Sequence, residues 1–161
     1  MRAYREMHRF EGVIEASPAR AWALRIDPVA QVEAFSRRLE VTPLVGRPGE
    51  VGSVTRHVGR LDTGAVVTTI STMRESEPPR RAVLEGNSLE APRVRTKTTV
   101  ELTPMGDSTR LAAELEFSVA NTTWLQRIAL GRTQARRRAE GARLFALELA
   151  EENAYHRAHH G

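Results

Sequence analysis

The chain has 161 residues, of which 24 are basic and 20 acidic, so its formal net charge is +4, and 40% of its residues are hydrophobic. This length predicts one domain with a core large enough to fold unaided, and the absence of cysteine excludes disulfides, thiolate metal sites and a cysteine nucleophile. Because no apolar run approaches the roughly 20 residues of a transmembrane helix, we expect a cytoplasmic protein without a membrane span.

A strand and two short helices are predicted at the start of the chain. Residues 4–15 combine apolar and charged positions in the manner of a strand. Ser17 and Pro18 then form a helix-start signal, because serine can cap a helix and proline fits its first turn. Asp27 and Pro28 repeat this signal, so a second short helix is expected to follow the first directly.

The middle of the chain predicts about six antiparallel strands separated by turns rich in glycine and proline. The clearest strand lies in residues 111–119, where Leu111, Leu115 and Phe117 share one face and mainly polar residues occupy the other. The other predicted strands cover residues 39–45, 52–61, 65–75, 81–86 and 94–102.

Residues 124–151 predict one continuous helix, opened by a capping box at Thr123 and Gln126. The middle of its apolar stripe contains only glycine and alanine, which permits either close packing on the sheet or a hollow beneath the helix. We expect an apolar cavity under residues 131–142, and a flexible tail at 156–161 after a single domain spanning 1–155. The stripe comprises Trp124, Ile128, Gly131, Ala135, Ala139, Ala142, Ala146 and Leu149.

This order of elements resembles the helix-grip fold of the START and pollen-allergen superfamily (SRPBCC), in its bacterial polyketide cyclase/dehydrase-like branch. The resemblance implies an α+β fold, in which a curved antiparallel sheet of six to seven strands wraps a long C-terminal helix. It also implies binding of a hydrophobic or amphipathic small molecule between sheet and helix, with a cyclase or dehydratase using the same cavity as the alternative. The segments that carry the resemblance are 14–22, 27–28, 49–53, 77–80 and 103–110.

Two neighbouring residues are alternative candidates for the polar group of this cavity. Arg56 shares a strand face with two valines, and His57 lies on the opposite face. An inward Arg56 could bind a ligand carboxylate or enolate, whereas an inward His57 could act as an acid or base. The sequence leaves both arrangements open and assigns no catalytic residue.

The other expected ligand-binding residues lie on the strand and helix faces assigned to the cavity. If neither Arg56 nor His57 points inward, threonine and serine hydroxyl groups are expected to form the polar end of the cavity. The set comprises Thr69, Ser71, Met73, Thr96, Thr98, Leu115, Phe117, Trp124, Ile128, Ala135 and Ala139.

Other kinds of chemistry are not indicated by the sequence. His156, His159 and His160 have a spacing compatible with a metal, but their position near the end of the chain favours a simple tail. No phosphate-binding loop or dinucleotide fingerprint is present, so neither a cofactor nor a metal is expected. The arginines of residues 132–143 are spread around the helix without interleaved aromatics, which does not favour nucleic-acid binding, and a homodimer is left open.

Overall fold

The computed structural model describes residues 2–160, so Met1 and Gly161, the ends of the expected domain and tail, lie outside the described residues. The described residues form seven strands and four helices. In chain order these are β1 (Arg2–Ile14), α1 (Pro18–Ile26), α2 (Pro28–Ala34), β2 (Arg38–Val45), β3 (Val54–Arg60), β4 (Val66–Glu77), β5 (Arg81–Ser88), β6 (Val94–Met105), β7 (Ser108–Thr122), α3 (Trp124–Arg132) and α4 (Gln134–Ala158).

The strands form one curved antiparallel sheet in the order β1-β7-β6-β5-β4-β3-β2. Consecutive strands from β2 to β7 are neighbours, and β1 joins the sheet at β7. Gly106, with φ of +59°, makes the tight β6–β7 turn, a backbone conformation that costs glycine little. The predicted helix-grip fold is therefore confirmed. None of the helices formed by residues 2–160 combines the length and apolar character needed to traverse a bilayer.

The two predicted short helices begin at the predicted caps. The Ser17 side chain accepts a hydrogen bond from the backbone of Arg20, and Asp27 accepts from two backbone N–H groups of α2. A proline occupies the first turn of each helix. These caps hold α1 against the sheet, where Trp22 is buried with Ile14, Leu102 and Leu111. We call the sheet face that carries this core the inner face.

The prediction of one continuous helix over residues 124–151 is wrong, because the chain leaves helical geometry at Thr133. Thr133 has φ of −99° and ψ of 1°, and it caps α3 at its C-terminal end. Arg137 donates hydrogen bonds to the Leu130 carbonyl and to Oγ1 of Thr133, each at 2.6 Å. One side chain from α4 thus adds hydrogen bonds at the end of α3, where Thr133 also donates to the Leu130 carbonyl.

The predicted apolar stripe of the helix is wrong at Ala135, Ala139, Ala142 and Ala146, which are exposed, but its last member Leu149 packs against the core as predicted. A different face of α4 packs along β1, where Phe145 stacks on Phe10 with ring centroids 5.5 Å apart. Close approach at this contact depends on glycine: a Cβ added at Gly141 would lie 3.1 Å from Cζ of Phe10. Much of the face of α4 that packs inward is charged, so an apolar pattern in the sequence does not identify it.

The expected tail begins later than predicted. Helix α4 continues through Ala158, and His156 is only 3% exposed. His156 lies 3.4 Å from the buried carboxylate of Glu152, one turn earlier in the helix. Residues 156–158 therefore form the last turn of α4 rather than part of a flexible tail.

Candidate ligand-binding site

A cavity of about 400 Å³ lies on the inner face of β3 to β6. It is bounded by α1, α2 and the loop between β2 and β3, and α4 contributes no lining residue. Its apolar lining comes from Ile26, Pro28, Val41, Pro48, Val58, Val67 and Leu84, and its polar lining from Arg25, Gln31, Arg38, Thr55, His57, Thr69, Ser71, Thr96 and Thr98.

Strand register explains why hydroxyl groups converge in this cavity. Ser71 pairs with Gly86 across β4 and β5, and Gly86 pairs with Thr96 across β5 and β6. A Cβ added at Gly86 would lie 2.9 Å from Oγ1 of Thr96 and 3.1 Å from Cγ2 of Thr69. The missing side chain at Gly86 therefore gives the cavity part of its depth.

The structure places His57 in the cavity and Arg56 on the outer face of β3. Arg56 is ion-paired with Glu40 of β2, so it does not supply a ligand-binding group inside the cavity. The alternative in which Arg56 points into the cavity is therefore wrong. His57 lies opposite Val41 and Thr69 in the neighbouring strands, both of which line the cavity. Burial, and then the positive charge of Arg38, lower the pKa of His57 to about 4, so the imidazole is uncharged at neutral pH.

Arg38 forms the main cationic group of the cavity. It begins β2, which residues 35–37 separate from α2, donates a hydrogen bond to Oε1 of Gln31, and stacks over the Phe35 ring at 4.1 Å from the centroid. Its Nη2 lies 3.6 Å from Oε2 of Glu148, and that carboxylate is partly exposed. Burial lowers the pKa of Arg38, and Glu148 opposes this effect. The guanidinium is thus held in place by side-chain contacts while its nearest carboxylate stays at the edge of ion-pair distance.

Arg25 is a second guanidinium in the lining, but Glu152 already neutralises it. Two hydrogen bonds of 2.5 and 2.8 Å join the guanidinium to that carboxylate. Burial opposes ionisation of Glu152, but the hydrogen bond with His156 and the pair with Arg25 outweigh it, and its pKa lies below the ordinary value. Arg25 therefore anchors α1 to α4, and Arg38 is the better candidate for contacting a ligand anion.

Of the predicted lining residues, His57, Thr69, Ser71, Thr96 and Thr98 lie in the cavity. The remaining predicted residues do not line it. Met73 is buried in the core, Leu115 and Phe117 lie beside Thr98 and Thr96 on the inner face but not in the lining, and Trp124, Ile128, Ala135 and Ala139 are exposed on α3 and α4.

A buried polar cluster joins the start of α4 to β1. The Glu6 side chain is 1% exposed and receives hydrogen bonds from Arg137 at 2.6 and 2.9 Å and from Tyr4 at 2.8 Å. The same guanidinium lies 5.6 Å from the Phe117 ring centroid. Hydrogen bonding to Arg137 lowers the pKa of Glu6 to about 2, so the pair stays charged. It ties the start of α4 to β1, and the Phe117 contact extends this to β7, the neighbour of the cavity strand β6.

The site offers hydrogen bonding and charge rather than a metal centre. Among residues 2–160, no three histidine, aspartate or glutamate side chains are grouped as metal ligands. Arg25, Gln31, Arg38 and Thr55 are the polar lining residues that the sequence does not single out. Arg25 and Arg38 lie at the end of α1 and the start of β2, and Gln31 lies within α2, so their convergence depends on how α1, α2 and β2 pack.

Comparison with known proteins supports the fold. No protein-family model and no curated protein sequence matches the chain. SA2116 from Staphylococcus aureus, a protein of unknown function, has a TM-score of 0.74 at 11% identity, over 95% of this chain and 94% of that chain. Ara h 8.0201 has a TM-score of 0.65 at 10% identity, over 94% and 97% of the two chains.

A third solved structure connects the fold to biosynthetic proteins. The di-domain ARO/CYC protein BexL, from the BE-7585A biosynthetic pathway, has a TM-score of 0.67 at 16% identity, over 94% of this chain and 50% of BexL. The chain thus spans half the length of BexL. These similarities confirm the helix-grip fold that the sequence predicts.

Proposed function

We propose that the protein binds one hydrophobic or amphipathic small molecule in the cavity on the inner face of β3 to β6. The observation that carries this proposal is the cavity itself: about 400 Å³, with apolar side chains from the helices and strands around it and a cluster of polar side chains. Ligand sites generally have volumes of roughly 300–1,000 Å³ and combine apolar walls with a few polar groups. The cavity meets both conditions.

The polar groups favour a ligand with an acidic or carbonyl end. Arg38 is a fixed cation with its nearest carboxylate at 3.6 Å, and His57 is a neutral imidazole beside it. A ligand carboxylate near both groups would form a charge-assisted hydrogen bond with the guanidinium. It would also raise the pKa of His57 by offsetting the charge of Arg38.

Calorimetric titration with a naphthyl carboxylic acid and its primary amide tests the proposal. Arg38→Met should weaken binding of the acid by about tenfold or more, and leave binding of the amide within about twofold, because a charge-assisted hydrogen bond is lost. Arg56→Met is the matched control, since it removes a guanidinium from the outer face, and it should change neither affinity.

A cavity-filling pair tests the location of the site independently of charge. Ser71→Phe places a ring in the cavity and should abolish binding of both compounds, whereas Thr72→Phe, on the opposite face of β4, should not. If the acid and the amide bind wild type and Ser71→Phe equally well, the binding site is elsewhere. A preference for the acid that survives Arg38→Met would contradict only the role given to that guanidinium.

A cyclase or dehydratase reaction in the same cavity is a second candidate. It is favoured by the presence of a neutral imidazole, which can accept a proton, beside a guanidinium, which can stabilise an enolate. Turnover of a poly-β-carbonyl thioester that His57→Asn abolishes, without weakening binding of the amide, would favour catalysis over simple binding. Unchanged turnover in that variant would contradict a catalytic His57.

A further inference from the structure

One end of the molecule exposes large apolar side chains from three separate segments. The β3–β4 turn, the β5–β6 loop and α3 lie at the same end of the sheet, because Arg60 pairs with Val66 and Val94 pairs with Val119. We call this surface the apolar end. Its exposed apolar residues are Leu61, Val66, Leu89, Trp124, Leu125 and Ile128.

Helix α3 is the most prominent part of the apolar end. It contains no buried residue, and Trp124 and Leu125 are 63% and 61% exposed. At 100° per residue, Trp124, Ile128 and Leu125 fall within about 100° of arc, so their side chains form one apolar face. A tryptophan on an exposed helix face is favourable at the boundary between lipid headgroups and acyl chains.

The same end carries an excess of positive charge. Residues 123–139 contain five arginines and no acidic residue. Within residues 2–160, Arg127, Arg132 and Arg136 take part in no ion pair. Of the acidic residues in the two neighbouring loops, Asp62 is ion-paired with Arg37 and Arg143, and Glu90 accepts hydrogen bonds from Thr68 and Ser88. The apolar face is therefore flanked by cations that are available to an external partner.

We propose that the apolar end docks on an anionic lipid surface. Such a surface satisfies both features at once, because the acyl region accepts the apolar side chains while the headgroups accept the arginines. A second copy of the chain would bury the apolar face but bring like charges together across a symmetric interface. A nucleic acid would pair with the arginines but leave Leu61, Leu89 and Leu125 in water.

The cavity approaches the same end of the molecule. Gly59 and Val67 pair across β3 and β4 and line the cavity, one residue pair away from Arg60 and Val66. Docking in this orientation would bring that part of the cavity toward the lipid.

Co-sedimentation with vesicles tests the proposal directly. We expect binding to vesicles of equal parts phosphatidylglycerol and phosphatidylcholine, and at least about tenfold weaker binding to phosphatidylcholine alone, because several arginines contribute. Binding should weaken as salt is added, since exposed charges are screened. Emission from Trp124 should move to shorter wavelength as its ring leaves water.

Two double variants separate the apolar and cationic contributions. Trp124→Ala with Leu125→Ala, and Arg127→Gln with Arg132→Gln, should each weaken vesicle binding by about tenfold or more. Because α3 has no buried residue, both variants should keep the wild-type thermal unfolding temperature within a few degrees.

Matched controls are available in the β2–β3 loop, at the opposite end of the strands. Val51 is 64% exposed, and Arg47 is exposed without an ion pair among residues 2–160. Val51→Ala and Arg47→Gln should bind vesicles like wild type. Three outcomes overturn the proposal: no binding to anionic vesicles, equal losses in these controls, or a dimer by light scattering that the α3 variants dissociate.

Discussion

Replacing His57 with asparagine should remove a pH dependence of folding that the cavity imposes. The pKa of His57 is about 4 in the folded protein and about 6.5 in the unfolded chain. Between these values the unfolded state binds a proton that the folded state does not, so the free energy of unfolding rises with pH. Wild type should therefore lose stability relative to His57→Asn as the pH falls from about 6.5 to 4.

The size of this effect follows from the pKa difference. Each unit corresponds to about 1.4 kcal/mol, so the full loss relative to His57→Asn is up to about 3 kcal/mol at pH 4. The difference between wild type and variant should be constant above about pH 7, where both states hold a neutral imidazole. Below about pH 4 it should level off again, because the imidazole is then protonated in both states.

Arg38→Met separates the two causes of the shift. Burial contributes more than the charge of Arg38, so in this variant the pKa of His57 should rise only part of the way toward 6.5. Urea unfolding at about pH 7, 6, 5 and 4 measures the stabilities, and a nuclear magnetic resonance titration follows the imidazole itself. Parallel pH profiles for wild type and His57→Asn, with the imidazole titrating near 6.5, would refute a buried His57 in the cavity.

Other predictions concern the attachment of α4 and are checked by urea unfolding. Arg137→Leu should lower the free energy of unfolding by about 3–5 kcal/mol, because it leaves the Glu6 carboxylate buried without its cation. Glu6→Gln should lower it less, by about 1–2 kcal/mol, because Arg137 is partly exposed. Equal losses in the two variants would contradict this reasoning. Since the pKa of Glu6 is about 2, wild type should lose this stabilisation as the pH falls from about 4.5 toward 2, and Glu6→Gln should not. Gly12→Ala should cost about 1–3 kcal/mol, because its Cβ would lie 2.3 Å from Cδ2 of Leu149, whereas Gly131→Ala meets nothing within 4 Å and should gain about 0.5–1 kcal/mol. A neutral Gly12→Ala would show that α4 does not approach β1 so closely.

The order of elements was predictable because its signals are local. Ser17 and Asp27 cap their helices through side-chain hydrogen bonds to nearby backbone N–H groups, and the strand alternation at Leu111 depends only on the pleat. The break at Thr133 carries a weaker signal, since threonine and the preceding glycine and arginine are all tolerated inside helices. Arg137 hydrogen-bonds both to the Leu130 carbonyl at the end of α3 and to Glu6 of β1, a long-range contact that the local sequence does not show.

The orientation of α4 could not be derived from apolar periodicity. Its inward face includes Arg137, Glu152 and His156, which a hydrophobic pattern assigns to solvent. Arg137 and Glu152 face inward because their partners come from elsewhere in the chain, Glu6 for the guanidinium and Arg25 for the carboxylate, and His156 contacts Glu152 one turn earlier. Long-range ion pairs of this kind leave no trace in sequence spacing, so the exposed alanines are mistaken for the core stripe.

The same ion pairs place α4 relative to the cavity. Glu6 with Arg137 holds the start of α4 over β1 and β7, and Arg25 with Glu152 holds its later turns against α1. With both contacts made, α4 packs along β1 and reaches Arg38 of the lining through Glu148, while the cavity wall itself contains no α4 residue. Gly141 packs closely on Phe10, and the cavity expected beneath residues 131–142 lies instead on the inner face of β3 to β6, where Arg38 and His57 supply polar groups.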